Sequence, residues 1–222
     1  MQDSMRANYL TEKIMRMTKR TIWALQQQLK KGDFEPVGYE VRFTTELENQ
    51  QMHLSYGDRG VMSLNGKIDR MDLCEEDDKV YLKIIDYKSG RTKFDLASVF
   101  HGLQLQLMVY MNAAREEQQQ KKKQCIVIPA GILYYHIDDP FVTSDNFRDF
   151  AGNQPVGPDE QNEDYSDASG AAEDALSILE QLAVDGLVLD DGDAVRHMDH
   201  HPEEPPKVLP VKIKKDGTLS AL

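Results

Sequence analysis

Two strand-forming segments joined by a run of four acidic residues constrain the fold of this chain most strongly. Residues 61–73 and 79–87 are rich in Val, Ile, Leu and Tyr, with apolar side chains recurring among polar ones. Residues 75–78 between them read Glu-Glu-Asp-Asp, a composition typical of a turn. The pattern predicts a pair of antiparallel strands whose register is set by the turn.

Each of these two strands carries an acidic residue among apolar neighbours. Pairing through a turn centred near Asp77 places Asp69 nearly opposite Asp86, and period-two alternation puts Lys88 on the same face as Asp86. Two carboxylates on one sheet face repel each other, and partial burial removes their hydration. A bound Mg²⁺ relieves that repulsion, activates a water and accepts phosphate oxygens, while Lys88 is placed to orient the water. The cluster therefore predicts phosphodiester hydrolysis.

Three ordered motifs extend this prediction. Gly66-Lys-Ile-Asp69 and Asp86-Tyr-Lys88-Ser are followed by Gln106-Leu-Met-Val-Tyr110 on a predicted helix. This arrangement resembles the RecB-like branch of the PD-(D/E)XK nucleases. It is most similar to the C-terminal nuclease region of the B subunits of AddAB-type helicase-nucleases.

The resemblance implies a role for each motif residue. Asp69 and Asp86 would be metal ligands, with the carbonyl of Tyr87 as a further ligand, and Lys88 would be the catalytic lysine. Two helix residues would support the site and contact DNA: Gln106 and Tyr110. Tyr110 at helical spacing is equally well explained by core packing, and only Gln106 four residues earlier favours the functional interpretation.

The implied activity is that of a Mg²⁺-dependent single-strand DNA exonuclease, with Mn²⁺ as an alternative metal. In this family the B-subunit nuclease cuts the 5′-ended strand beside a helicase-nuclease A subunit, during processing of double-strand breaks for homologous recombination. The full-length protein would also carry a 4Fe–4S cluster, whose cysteines lie outside this chain. The family's upstream histidine ligand is missing from residues 5–31. The alternative is therefore a catalytically incomplete DNA-end-binding or scaffolding module.

The predicted fold is α/β, with the restriction-endonuclease-like core of a mixed central sheet flanked by helices. The expected order is helix, three strands, helix, strand: a helix over 5–31, strands over 37–47, 61–73 and 79–87, a helix from the capping Asp95 towards Arg115, and a strand over 125–137 bent at 129–131. Residues 116–123 are expected to be a solvated polar tail.

The predicted division of the chain has three parts. Residues 1–143 form the nuclease core, 144–170 an acidic loop or insertion, and 171–222 a C-terminal helix and hairpin that pack on the core. Because the last strand of that hairpin ends at the last residue, we expect the chain to be a fragment of a longer protein.

Composition excludes several function classes. The net charge of −12 argues against a nonspecific nucleic-acid binder, although 17 of the 38 acidic residues lie between 145 and 204. Two cysteines outside any CxxC pair exclude a disulfide framework and indicate a cytoplasmic protein. The absence of a phosphate-binding loop sequence means that ATP dependence would come from the partner. We expect no membrane association, because no apolar run reaches about 20 residues.

Several other polar residues have structural interpretations. Asp72 falls off the Asp69 face and is expected to pair with a basic neighbour. Glu40 is expected to be a solvated strand carboxylate, and His136 a core residue rather than a ligand. Three further histidines near Asp199 are interpreted as a solvated loop because they lack regular ligand spacing: His197, His200 and His201.

Overall fold

A computed structural model describes residues 2–44, 54–55, 61–62, 65–90, 92–140, 167–214 and 217–221. Five helices and nine strands lie within these ranges. The helices are α1 (Gln2–Lys30), α2 (Leu96–Phe100), α3 (Gln106–Lys121), α4 (Asp167–Gln181) and α5 (Gly192–Met198). The strands are β1 (Glu35–Thr44), β2 (Leu54–Ser55), β3 (Val61–Met62), β4 (Asn65–Glu76), β5 (Lys79–Lys88), β6 (Ile126–His136), β7 (Asp185–Val188), β8 (Val211–Ile213) and β9 (Leu219–Ala221).

The central sheet is mixed, as predicted, and in the described part of the chain it has the strand order β1-β4-β5-β6-β7. All neighbouring pairs are antiparallel except β5 and β6, which run parallel. A parallel pair needs a crossover connection, and α2 and α3 supply it between β5 and β6. The α/β class is therefore confirmed, and the order helix, three strands, helix, strand holds for the strands of this sheet with α2 and α3 in place of one helix. Strand β7 adds one edge strand that the sequence did not predict.

Each face of the sheet carries its own apolar core. Helix α3 covers one face with Leu107, Met111 and Ala114, whose three- and four-residue spacing forms a single helical stripe. The opposite face is covered by residues of α1, α4 and α5, including Ala24, Ile178 and Val195, all fully buried. Successive buried residues of β5 point alternately into these two cores from Val80 to Ile85, whereas on β4 Ile68 and Met71 lie in the same core, so alternation is interrupted between them.

The single helix predicted from Asp95 towards Arg115 is wrong in one respect, because the chain forms two helices there. Asp95 caps the first of them, α2, by accepting hydrogen bonds from the backbone of Ala97 and Ser98, as predicted. Gly102 then takes a φ of 77°, which is a left-handed conformation that favours glycine and ends the helix. After this break a second helix, α3, begins at Gln106, so Gln106 lies in its first turn.

Other predicted boundaries also shift. The predicted strand over 61–73 is two strands, because Val61–Met62 pairs with Leu54–Ser55 in a separate small sheet. The polar tail predicted over 116–123 is wrong, since α3 continues to Lys121 and Gln118 is buried. The bend predicted at 129–131 is confirmed by a register shift in β6, opposite Leu82 and Lys83.

The C-terminal part contains its predicted helix and hairpin, together with β7 and α5, which the sequence did not predict. Helix α4 covers most of the predicted 171–183, and β8 pairs antiparallel with β9 as the predicted hairpin. Residues 141–166, which hold most of the predicted acidic insertion, lie outside the described residues. The three-part division of the chain stays a prediction. Among the described residues, no helix is long and apolar enough to cross a membrane.

Candidate active site

The β4–β5 hairpin brings the two predicted carboxylates together. Arg70 pairs with Ile85, and one further step along the same register sets Asp69 opposite Asp86. Asp69 Oδ2 accepts a hydrogen bond of 3.0 Å from the backbone nitrogen of Tyr87. The side chain of Asp69 is therefore held against the strand that carries Asp86, as the alternation argument expects.

Asp86 is almost fully buried, with 2% of its surface exposed. Its Oδ1 accepts a hydrogen bond of 2.9 Å from Gln106 Nε2, and its Oδ2 lies 2.5 Å from Lys88 Nζ. Burial raises the pKa of Asp86 above its usual range, the Lys88 ammonium opposes that shift, and the charge of Asp69 adds to it. Both oxygens of this buried carboxylate are therefore held by polar side chains, and the ion pair with Lys88 compensates the charge of Asp86.

Gln106 links the remaining groups of the site. Its Oε1 accepts a hydrogen bond of 3.1 Å from Lys88 Nζ, and its Nε2 also lies 3.0 Å from the hydroxyl oxygen of Tyr110. The two α3 residues are four apart and share one helix face, which turns towards the end of β5. The structure thus brings together Asp69, Asp86, Lys88, Gln106 and Tyr110.

Gly66 leaves room for the aromatic support of this site. A Cβ at this position would lie 2.5 Å from the ring of Phe43 and 3.0 Å from that of Tyr110. The two rings pack edge to face, with centroids 5.6 Å apart. The glycine that opens the first motif is therefore required for close packing beside the site.

Tyr134 is a site neighbour that the sequence interpretation missed. It pairs with Asp86 in the β5–β6 register, and Lys88 Nζ lies 5.0 Å from its ring centroid. Burial raises the pKa of Tyr134, so its hydroxyl stays protonated at neutral pH. The sequence does indicate an apolar strand over 131–136. Its register against β5 could not be predicted, because the two strands are joined by a long crossover that contains α2 and α3.

Asp72 has the structural role that its position predicts. Arg70 donates two hydrogen bonds to its carboxylate, of 2.6 and 2.7 Å, and Lys83 Nζ lies 3.2 Å from Oδ2. All three side chains are buried on the sheet face opposite Asp69. Burial lowers the pKa of Lys83, and the charge of Asp72 opposes that shift. Asp72 is fully occupied by two basic partners, Arg70 and Lys83, and does not share the face of the sheet that carries Asp69.

Two further predictions concern single residues. Glu40 is exposed and pairs with Lys67 at 2.8 Å, which lowers the pKa of the Glu40 carboxyl and supports the interpretation as a solvated strand residue. His136 Nδ1 lies 3.2 Å from the carbonyl oxygen of Gly90. Both side chains therefore have protein partners.

The interpretation of the C-terminal histidines as a solvated loop is wrong for His197. This residue lies on α5, its side chain is 19% exposed, and both ring nitrogens face carboxylates. His200 follows the helix and contacts one of the same carboxylates, that of Asp33. The partners come from residues 33 and 76, too distant in sequence for spacing to reveal them.

The donors at the predicted site suit a hard divalent cation. The carboxylates of Asp69 and Asp86 and the neighbouring backbone carbonyl of Tyr87 offer only oxygen, the ligand atom that Mg²⁺ prefers. The observation that supports the fit is that the buried carboxylate of Asp86 lies close enough to Asp69 for the charge of Asp69 to raise its pKa.

Comparisons with known proteins also indicate a nuclease. The PD-(D/E)XK nuclease superfamily profile matches residues 1–202. The chain is similar to the B subunit of the ATP-dependent helicase/deoxyribonuclease of Clostridium acetobutylicum, at 34% identity over 219 residues, and of Thermoanaerobacter sp. (strain X514), at 34% over 224 residues. The protein of the same name from Clostridium botulinum (strain Hall) is 33% identical over 220 residues. Each match covers 99% of this chain but only 17% of the relative's length.

Proposed function

The chain belongs to the PD-(D/E)XK nuclease superfamily, and from this premise we propose that it is the Mg²⁺-dependent nuclease domain of a helicase-nuclease subunit. Its substrate would be single-stranded DNA at a break end, and its reaction the hydrolysis of phosphodiester bonds. The observation that carries the proposal is the convergence of three side chains: the Asp69 carboxylate held against β5, the buried Asp86 carboxylate, and the Lys88 ammonium 2.5 Å from Asp86 Oδ2.

Asp69, Asp86 and the Tyr87 carbonyl would hold the metal. When bound there, Mg²⁺ or Mn²⁺ lowers the pKa of a coordinated water and neutralises charge that develops on the phosphate. The hydrogen bond from the Tyr87 backbone to Asp69 restricts the Asp69 carboxylate. Gln106 likewise holds the other oxygen of Asp86, so both carboxylates are oriented before a cation binds.

Lys88 is the catalytic residue in this proposal. Its ammonium is held by Asp86 and Gln106 and lies over the ring of Tyr134, which limits the positions that it can take. From there it can orient the attacking water and stabilise negative charge on the phosphate oxygens. Gln106 is a positioning residue because it contacts both the lysine and the carboxylate. Tyr110 accepts a hydrogen bond from Gln106 and so braces it, and in this proposal it would also contact DNA.

The wider context follows from the relatives. Their name pairs a helicase with a deoxyribonuclease, which supports DNA as substrate and a helicase-nuclease A subunit as partner. Attack on the 5′-ended strand in recombinational break repair is the activity that we propose for the whole assembly. A 4Fe–4S cluster would be held by cysteines elsewhere in the full-length protein, because this chain has only Cys74 and Cys125.

The test compares Asp86→Asn with Asp78→Asn, an exposed acidic residue in the turn at the other end of the same hairpin. Mg²⁺ binding is measured by calorimetry, and cleavage with single-stranded oligonucleotides labelled at the 5′ or the 3′ end. We expect binding and cleavage in the wild type and in Asp78→Asn, and neither in Asp86→Asn.

Undiminished cleavage by Asp86→Asn would contradict the proposal, as would a wild type that binds no Mg²⁺. Mg²⁺ binding without cleavage would favour the alternative, a catalytically incomplete DNA-end-binding module that lacks the upstream histidine or its partner. The two end labels report which strand end is degraded.

A further inference from the structure

A second group of potential ligands lies on the other sheet face, at the opposite end of β4. A carboxylate oxygen of Asp33, the Sγ of Cys74 and a ring nitrogen of His197 lie within 4.8 Å of one another. Asp33 connects α1 to β1, Cys74 is near the end of β4, and His197 is on α5. Five residues along a strand separate Cys74 from Asp69, a distance of about 17 Å. The group is therefore separate from the nuclease site.

The contacts of His197 require a positive charge between its ring and a carboxylate. Nδ1 lies 2.9 Å from Asp33 Oδ2, and Nε2 lies 3.3 Å from Glu76 Oε2. A neutral imidazole has one N–H donor and one lone pair, so only one of these contacts can be a hydrogen bond. The other would bring a lone pair against a carboxylate oxygen unless a proton or a metal ion lies between them.

The backbone places these ligands independently of their side-chain contacts. The Asp33 nitrogen donates to the His197 carbonyl at 2.7 Å, and the His200 nitrogen donates to the Lys31 carbonyl at 2.7 Å. Gly32 allows this approach, because a Cβ there would lie 2.2 Å from the His197 carbonyl oxygen. The α1–β1 connection and the end of α5 are therefore held together before any ligand binds, which is how preorganised sites are built.

We propose that Asp33, Cys74 and His197 form a Zn²⁺ site that ties α1, β4 and α5 together. A thiolate, an imidazole and a carboxylate are the donor types that zinc binds, whereas Mg²⁺ avoids sulfur. His197 would bind through Nδ1, facing Asp33, and donate its Nε2–H to Glu76. His200 Nε2 lies 2.8 Å from Asp33 Oδ1 and would orient that carboxylate. Both contacts have the form of the supporting hydrogen bonds found around metal-bound side chains.

The competing explanation is a protonated His197 that forms ion pairs with two carboxylates. The state of Cys74 distinguishes this explanation from a Zn²⁺ site. An ion pair among Asp33, Glu76 and His197 does not involve the thiol of Cys74, which is buried at 4% exposure. A bound Zn²⁺ would be coordinated by that sulfur as a thiolate. The decisive measurement must therefore detect a metal–sulfur bond.

The experiment titrates the EDTA-treated 222-residue chain with Co²⁺ and then with Zn²⁺. Co²⁺ reports thiolate ligation by a charge-transfer band in the near ultraviolet. We expect this band to saturate at one equivalent, to disappear when Zn²⁺ displaces Co²⁺, and to be absent in Cys74→Ser. It should persist in the matched control Cys125→Ser and in Asp86→Asn, which alters only the nuclease site.

A variant of Glu76 tests the contact that is proposed to orient His197. Glu76→Gln should weaken Co²⁺ binding about tenfold or more by disturbing the orientation of His197. Circular dichroism of each variant verifies folding, and the wild-type titration is decisive if a variant does not fold. The proposal is overturned if the wild type shows no thiolate band, or if Cys74→Ser keeps it.

Discussion

Asp72→Asn tests whether the buried charge network supports the fold rather than the chemistry. In the native chain Asp72 is fully buried and compensates two buried cations, those of Arg70 and Lys83. The variant keeps the shape of the side chain but leaves both cations without a counter-charge. Breaking a buried ion pair by removing one partner costs about 3–5 kcal/mol. For a chain of this size that loss lowers the unfolding midpoint by about 6–20 °C.

The assay is thermal and urea unfolding followed by circular dichroism, with Glu40→Gln as the control. Glu40 also pairs with a lysine, but both side chains are exposed, so its removal should leave the unfolding midpoint unchanged. At a temperature where both variants are folded, Mg²⁺ affinity should equal that of the wild type, because Asp72 lies on the face opposite Asp69. A purely structural role for Asp72 is contradicted if Asp72→Asn unfolds at the same midpoint as Glu40→Gln, or if the folded variant loses Mg²⁺ binding.

Three further predictions follow from individual contacts. Gln106→Leu should lower kcat for single-strand cleavage about 10²-fold, since it frees Lys88, and calorimetry should find Mg²⁺ affinity weakened about tenfold, since it also frees Asp86. Gly66→Ala forces a Cβ into the Phe43 ring and should destabilise the chain by about 1–3 kcal/mol in urea unfolding, and a neutral result would contradict the packing argument. Arg16 and Arg20 on α1 form ion pairs with Asp139 and lower the pKa of its carboxyl below the unfolded value of about 3.9. The ionised Asp139 therefore stabilises the fold at pH values above about 3.9. This contribution should disappear as pH falls through the folded pKa, and acid titration of Asp139→Asn should lack that part of the stability loss.

The hairpin and its acidic pair were predictable because they depend on local geometry. A four-residue acidic turn between two apolar strands sets their register, and period-two alternation then assigns each side chain to a face. The same reasoning separated Asp72 from Asp69 correctly. The spacing of Gln106 and Tyr110 placed both on one helix face for an equally local reason.

The break between α2 and α3 and the edge strand β7 were not predictable in this way. Apolar spacing runs through Gly102 without interruption, and only the left-handed φ of that residue shows where the helix stops. Strand β7 has four half-buried residues and owes its place to pairing with β6, a contact across about 50 residues of chain. Neither the path of a crossover nor the partner of a short edge strand is encoded in local periodicity.

Local patterns in the sequence were sufficient to predict the class of fold, the carboxylate pair and the lysine beside it, because turns, alternation and helical spacing act over a few residues. Long-range packing set which groups surround them. It placed Tyr134 against Lys88 and brought Asp33, Cys74 and His197 within 4.8 Å from three separate elements. Asp33 and His197 lie 164 residues apart. Their proximity depends on the packing of α5 against the α1–β1 connection, and no local pattern in the chain records that contact.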